Sequence, residues 1–227
     1  MQLKKRLTLL PLAFTLFAAC SSAPVMQNEM TTSPSGQETA PAALETGFVS
    51  LFNGEDLTEH WDIVGNPEGW EVRDGVIHSP GGKGGNWIRS KKQYSDFVLK
   101  LEWKISKGGN SGVFIRCART GRSSVTGMEA QITNAFRDDH HCTGSLYRYI
   151  PATPRPDNRA DMWHTYEIRC EGPYITVKVD GVTTVDIDLR EHDRIADKPL
   201  RGYIGLQDSH TGEGKWVEYR NIRIKEL

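Results

Sequence analysis

From Thr46 onward, apolar and polar residues take turns along the chain. In "WEVRDGVIHS" they alternate on both sides of Asp74-Gly75, a dipeptide suited to a tight hairpin turn. "FVLKLEWKIS" puts Phe97, Leu99, Leu101, Trp103 and Ile105 on one face and Lys100, Glu102 and Lys104 on the other. "HTYEIRCEGPYITVKVDGVTTVDI" predicts a meander with turns at Gly172-Pro173 and Asp180-Gly181, in which Tyr166, Ile168 and Cys170 share a face, as do Ile175, Val177 and Val179. "GYIGLQD" and "VEYRNIRIKEL" supply late strands. No long stretch has the 3.6-residue period of an amphipathic helix. Many short strands divided by turn signals predict an all-β fold, an antiparallel sandwich or jelly roll.

Two strands carry more than a core face. "NSGVFIR" sends Val113 and Ile115 inward and Phe114 and Arg116 to the opposite face, behind an Asn110-Ser111-Gly112 entry that calls for tight packing or an unusual backbone angle at Gly112. "MEAQIT" has Met128, Ala130 and Ile132 on its apolar face and Glu129, Gln131 and Thr133 on its polar one. Taken singly, such polar faces are usually solvated. Together with Glu102 and the aromatic residues Phe114 and Tyr147, they form a candidate hydrogen-bonding surface, of the kind that binds sugars on the concave sheet of a jelly roll.

The chain ahead of Thr46 has a different character. Lys4, Lys5 and Arg6 precede an apolar run from Leu7 to Ala19, which is too short to span a bilayer and ends in small residues before Cys20. Residues 1–19 are expected to be an export signal and Cys20 a lipidation site resembling that of bacterial lipoproteins; a plain secreted protein is the alternative. Residues 20–45, rich in Ser, Thr, Pro, Ala and Gln, are expected to be a tether. Residues 46–227 suffice for one domain. The expected location is the cell envelope, on the outer membrane, with the lipid as the sole membrane attachment.

Charge narrows the partners. Lys and Arg total 28 against 29 Asp and Glu, a net charge of −1 with no basic stripe, which argues against nucleic acid. Cys117 and Cys170 continue the apolar alternation of their strands and are expected in the core. With Cys142 they make three, an odd number for disulfides in an exported protein, so at least one thiol is expected to be free. "GGKGGN" lacks the Lys-Ser/Thr pair of a phosphate loop and predicts a flexible hairpin. "DDHHC" (Asp138–Cys142) gathers metal-ligating residue types, but adjacent residues seldom converge on one ion, so neither metal nor cofactor is expected. His60, His78 and His192 have the sequence contexts of surface or structural residues.

The segments "GFVSLFNGEDLTEHW", "WEVRDGVIHS", "YSDFVLKLEWKISKGGNSGVFIR", "GMEAQI", "TGSLY" and "GYIGLQDSHTGEGKWVEYRNIRIKEL" resemble the 3-keto-disaccharide hydrolase family, in the family's order, from Gly47 to Leu227. The resemblance implies a concanavalin-A-like jelly roll, export as a lipoprotein, and action on glycosides already oxidised at C3 of a sugar ring. Two positions depart from the family pattern. Ser209 stands as an extra residue between Asp208 and His210, and Trp163 is followed by His164 where an asparagine is usual.

Ordinary glycoside hydrolysis needs two carboxyl groups. The strand of Glu129 offers Gln131 and Thr133 at the next alternate positions, leaving Glu102 or Asp208 to supply a second acid. A 3-keto sugar needs less: one base at C2, a cation or donor at the developing enolate oxygen, and an acid for the leaving group. The expected assignment is Glu129 or His210 as base and Arg116 as enolate stabiliser or hydroxyl clamp. Asn110, Gln131, Tyr147, Gln207 and Glu102 are expected to bind substrate. A non-catalytic carbohydrate-binding module on the same fold is the competing expectation.

Overall fold

The computed structural model describes residues 45–82, 85–135 and 137–227. The expected signal, Cys20 and the tether up to residue 44 lie outside the described residues, as does Lys83-Gly84 of the Gly-rich run. The strands are β1 (Val49–Ser50), β2 (Trp61–Val64), β3 (Glu71–Arg73), β4 (Val76–Ser79), β5 (Trp87–Tyr94), β6 (Phe97–Ile105), β7 (Asn110–Cys117), β8 (Met128–Thr133), β9 (His164–Glu171), β10 (Tyr174–Val179), β11 (Val182–Asp188), β12 (Gly202–Gln207) and β13 (Val217–Glu226). One short helix, α1 (Ser123–Thr126), lies between β7 and β8.

The strands form two antiparallel sheets, a jelly-roll sandwich. The larger runs β11-β10-β9-β6-β13-β4-β3, with β1 added on β13; the smaller runs β2-β5-β12-β7-β8. Leu99, Leu101, Trp103 and Ile105 from the larger sheet meet Val113, Ile115, Met128, Ala130 and Ile132 from the smaller in one buried cluster. The period-two pattern thus does what it predicts, because each inward residue loses its water against the facing sheet. A second, smaller cluster of Trp87, Phe114, Cys117 and Tyr203 lies apart from the core, on the opposite face of the smaller sheet.

One register irregularity reorganises that face. β12 pairs Tyr203 with Cys117 and Gly205 with Phe114, so Ile115 and Arg116 together oppose the single residue Ile204. Arg116 takes up the extra length at φ 52°, in the left-handed region. The bulge inverts the alternation beyond it. Cys117 consequently sits on the Phe114 face and not in the main core, contrary to expectation. Arg116 is turned away from that face and is fully buried: Nε and Nη2 donate to the Ser95 carbonyl at 2.9 and 2.6 Å, Nη1 to the Gly172 carbonyl at 2.7 Å, and Nη2 also to Asp96 at 3.1 Å. It ties the β5–β6 and β9–β10 turns together.

The polar side of β8 is buried as well, with Glu129 3 % and Gln131 1 % exposed. The segment after β8 returns along its edge: Tyr147 N–H donates to the Glu129 carbonyl, Gly144 N–H to that of Gln131, and Gln131 N–H to that of Ser145. An edge strand that would otherwise be open is thereby covered. Cys117, Cys142 and Cys170 are all buried free thiols.

Candidate functional site

A pocket of about 270 Å³ opens on the outward face of the smaller sheet. Two glycines outside its lining make room for the side chains that line it. A Cβ on Gly112 would lie 2.8 Å from Cγ of Glu129, and one on Gly205 would overlap the Trp87 ring. Gly112 has no positive φ, so it is needed for space and not for backbone freedom. Trp87 and Phe114 meet edge to face at 5.5 Å and form the apolar wall. β7 and β8 pair Phe114 with Glu129 and Gly112 with Gln131, which places the two polar side chains beside that wall.

The carboxyl of Glu129 dominates the electrostatics. Burial pushes its pKa up to about 8, and the charge of Arg122, which also lines the pocket, acts in the opposite direction. Gln131 donates from Nε2 to Asn110 Oδ1 at 2.9 Å, and its own Oε1 is buried without a partner among the described residues. Gln207 Oε1 and His210 Nδ1 are in the same condition. Buried polar atoms are normally satisfied, so three open ones around a single cavity mark positions for a polar ligand. His210 reaches the pocket despite the extra residue before it, and its backbone N–H donates to the Asn110 carbonyl at 3.2 Å.

The structure therefore brings together six of the expected residues: Asn110, Glu129, Gln131, Tyr147, Gln207 and His210. Arg116 and Glu102 do not join them. The bulge removes Arg116, whose guanidinium is fully engaged elsewhere. Glu102 belongs to the larger sheet, where it accepts from Arg220 Nε at 2.7 Å and from Asn221 Nδ2 at 2.6 Å. Asp208, the other proposed second acid, is buried outside the lining. Burial raises its pKa, against a smaller lowering by His210 and by its bond to Asn86. Among the described residues Glu129 is the one carboxylate in the pocket lining.

Several lining groups had no sequence signal. Arg122, Ser123 and Ser124 come from "TGRSSVTG", a segment without periodicity between the two site-bearing strands. Asn86 follows the Gly-rich run, and Trp87 looks like an ordinary strand start. The "DDHHC" cluster supports a wall. Asp138 accepts from His141 Nδ1 at 2.6 Å, and the His141 ring packs edge-on against Tyr147 at 5.0 Å. His164 is a structural residue, bonded to Asp180 at 2.7 Å and to the Arg159 carbonyl at 3.0 Å, and stacked on Trp103.

Comparison with known proteins agrees with this architecture. Residues 47–225 match the family described as the 3-keto-alpha-glucoside-1,2-lyase-like domain. A Bacteroides thetaiotaomicron protein named 3-keto-disaccharide hydrolase is 27 % identical over 237 aligned residues, covering 80 % of this chain and 79 % of that protein. A crystal structure from Parabacteroides distasonis, assigned provisionally to the glycosyl hydrolases, superposes with a TM-score of 0.70 at 26 % identity, over 79 % of this chain and 99 % of that one. The carbohydrate-binding module CBM66 of Bacillus subtilis shares the fold alone, with a TM-score of 0.52 at 14 % identity, over 74 % of this chain and 96 % of that one.

Proposed function

The chain belongs to the 3-keto-alpha-glucoside-1,2-lyase-like family, and on that footing we propose that it cleaves 3-keto-glycosides by elimination and hydration at the Glu129 pocket. The observation that carries this reading is a single carboxylate, Glu129, in a lining whose other polar groups are amides, hydroxyls, one arginine and one histidine. Two opposed carboxyl groups, the usual requirement for direct hydrolysis, are not found among the described lining residues. A C3 ketone lowers the requirement by acidifying the C2 proton. A base takes that proton, and the C–H electron pair forms the enolate of C2, C3 and the C3 oxygen. The pair then returns as the C1–C2 double bond while the C1–O bond breaks. The leaving oxygen takes a proton, and water adds at C1 of the resulting enone to complete net hydrolysis.

Glu129 suits the base role because a carboxylate whose conjugate acid has its pKa pushed up to about 8 holds a proton far more strongly than an ordinary one near 4.5. His210, whose Nδ1 has no hydrogen-bond partner among the described residues, supplies the proton to the leaving oxygen in this reading. The Gln131 and Gln207 carbonyls accept from ring hydroxyls, and Trp87 and Phe114 face the apolar side of the sugar. A pocket of about 270 Å³ fits one sugar ring with the aglycone outside. Attachment to the cell envelope through a lipid on Cys20 is part of the proposal and rests on the sequence pattern around that residue.

The test is aglycone release from 3-keto and unmodified glycosides side by side, with deuterium incorporation at C2 followed in heavy water. Release restricted to the 3-keto compounds, with exchange at C2, is expected. Sugar binding without turnover of either substrate would instead establish a binding module. A rate that rises with pH through about 8 assigns the base to Glu129; one that falls there makes Glu129 the acid and His210 the base.

A further inference from the structure

Arg116 is withdrawn from the pocket by the β7 bulge, so the cation expected at the developing enolate has to come from elsewhere. Arg122 lines the same cavity as Glu129. The arginines nearby are committed: Arg89 donates to Asp62 and to the Arg119 carbonyl, both at 2.9 Å, and Arg116 holds two carbonyls and Asp96. The Arg122 side chain has neither an acidic partner nor a hydrogen bond among the described residues, although Glu129 shares its pocket.

An unpaired arginine at a surface is common, and most do nothing. What sets Arg122 apart is the rigidity of its mounting. Its carbonyl accepts from the N–H groups of Val125 and Thr126, at 2.8 and 2.9 Å. Ser123 and Ser124, which follow it, are buried and also line the pocket. At the far end of the turn Gly127 packs so closely on β7 that a Cβ there would lie 2.6 Å from the Cys117 Cα. The segment is pinned between the two strands that carry the site.

We infer that Arg122 is a catalytic residue whose guanidinium holds the C3 oxygen of the bound sugar as negative charge develops there. The inference rests on the reading of the pocket as a 3-keto-glycoside site. Proton abstraction neutralises Glu129 and places one negative charge on the C3 oxygen, so the pocket's net charge does not change and the charge only moves. A cation carried on a pinned segment of the same cavity as the carboxylate is then close to the enolate as its charge develops. The opposing influence of Arg122 on the Glu129 pKa is consistent with that proximity.

The experiment compares the wild type with Arg122→Ala and Arg122→Lys, each shown to melt like the wild type, by C2 exchange and by aglycone release against pH. Arg122→Ala is expected to lower kcat by about 10²–10³-fold, the scale for loss of one oxyanion donor, with a smaller change in KM. The pH limb belonging to Glu129 should move upward, and added guanidinium ion should restore part of the rate. Arg122→Lys should fall between the two, since charge remains but the planar fork is lost. Active wild type alongside an Arg122→Ala protein with unchanged kcat and pH profile overturns the inference alone. So does a defect confined to KM for substrates with an anionic aglycone. Wild type that neither exchanges C2 nor releases aglycone overturns the parent reading and this inference with it.

Discussion

Glu129→Gln should make the protein more stable at high pH while removing its activity. The folded-state pKa of Glu129 is about 8 against 4.5 for the free side chain, a shift caused by burial. Because the folded pKa is raised, the unfolded chain releases this proton first as pH climbs. Stability is full below about 4.5, falls between 4.5 and 8, and levels off above 8. The difference between about 8 and 4.5 corresponds to at most about 5 kcal/mol, and water entering the open pocket reduces it to about half. Glutamine is nearly isosteric and never ionises, so the mutant escapes that loss. For a domain of this size 1 kcal/mol moves Tm by about 2–4 °C, so the mutant should melt several degrees above the wild type at pH 9 and close to it at pH 5. Thermal melts across pH 5 to 9 measure the gap. Parallel Tm curves for the two proteins over that range would refute the buried, neutral carboxyl. Turnover of a 3-keto-glycoside should fall by about a hundredfold or more in the same mutant, with binding better preserved.

Gly112→Val should destabilise the fold by about 1–3 kcal/mol and Gly112→Ala by less, with turnover lost in both because the new Cβ displaces the Glu129 carboxylate; denaturant melts and rate assays separate the two effects. Arg116→Lys should cost about 2–4 kcal/mol, since an ammonium cannot reach both carbonyls and Asp96 together, yet kcat per folded molecule should stay at the wild-type value; a kcat loss in fully folded mutant would return Arg116 to the active site. Cys20→Ala should move the protein from the membrane fraction to the soluble one without changing the domain's melting temperature, which fractionation and a thermal scan check together.

The sandwich was legible because burying one face of each strand imposes a two-residue period. That period survives wherever pairing is regular, as between β6 and β9. Part of the pocket was legible in the same way: Glu129 and Gln131 occupy the positions opposite the core that the alternation of "MEAQIT" predicts. Arg116 was misassigned for a local reason. One inserted residue in the left-handed region reverses parity, and the alternation of "VFIRC" carries no mark of it; only the register with β12 on either side of Ile204 exposes it. Arg122 was missed for the complementary reason, since it comes from an aperiodic connection whose path is set by packing against β7. Glu102 shows the limit of face arguments, because outward faces on two different sheets look alike until the sheets are assembled.

The division of labour inside the pocket bears on how relatives of this chain could diversify. Gly112 and the Glu129–Gln131 pair belong to paired strands, where a change disturbs the register of neighbours. Tyr147 belongs to a connection, the return along the edge of β8. Such a connection can be exchanged or lengthened with little penalty to the sheet. A lineage built on this plan can keep Glu129 and the pinned Arg122 segment in place while replacing this part of the rim, and laboratory grafting of the return segment between homologues is the corresponding engineering route.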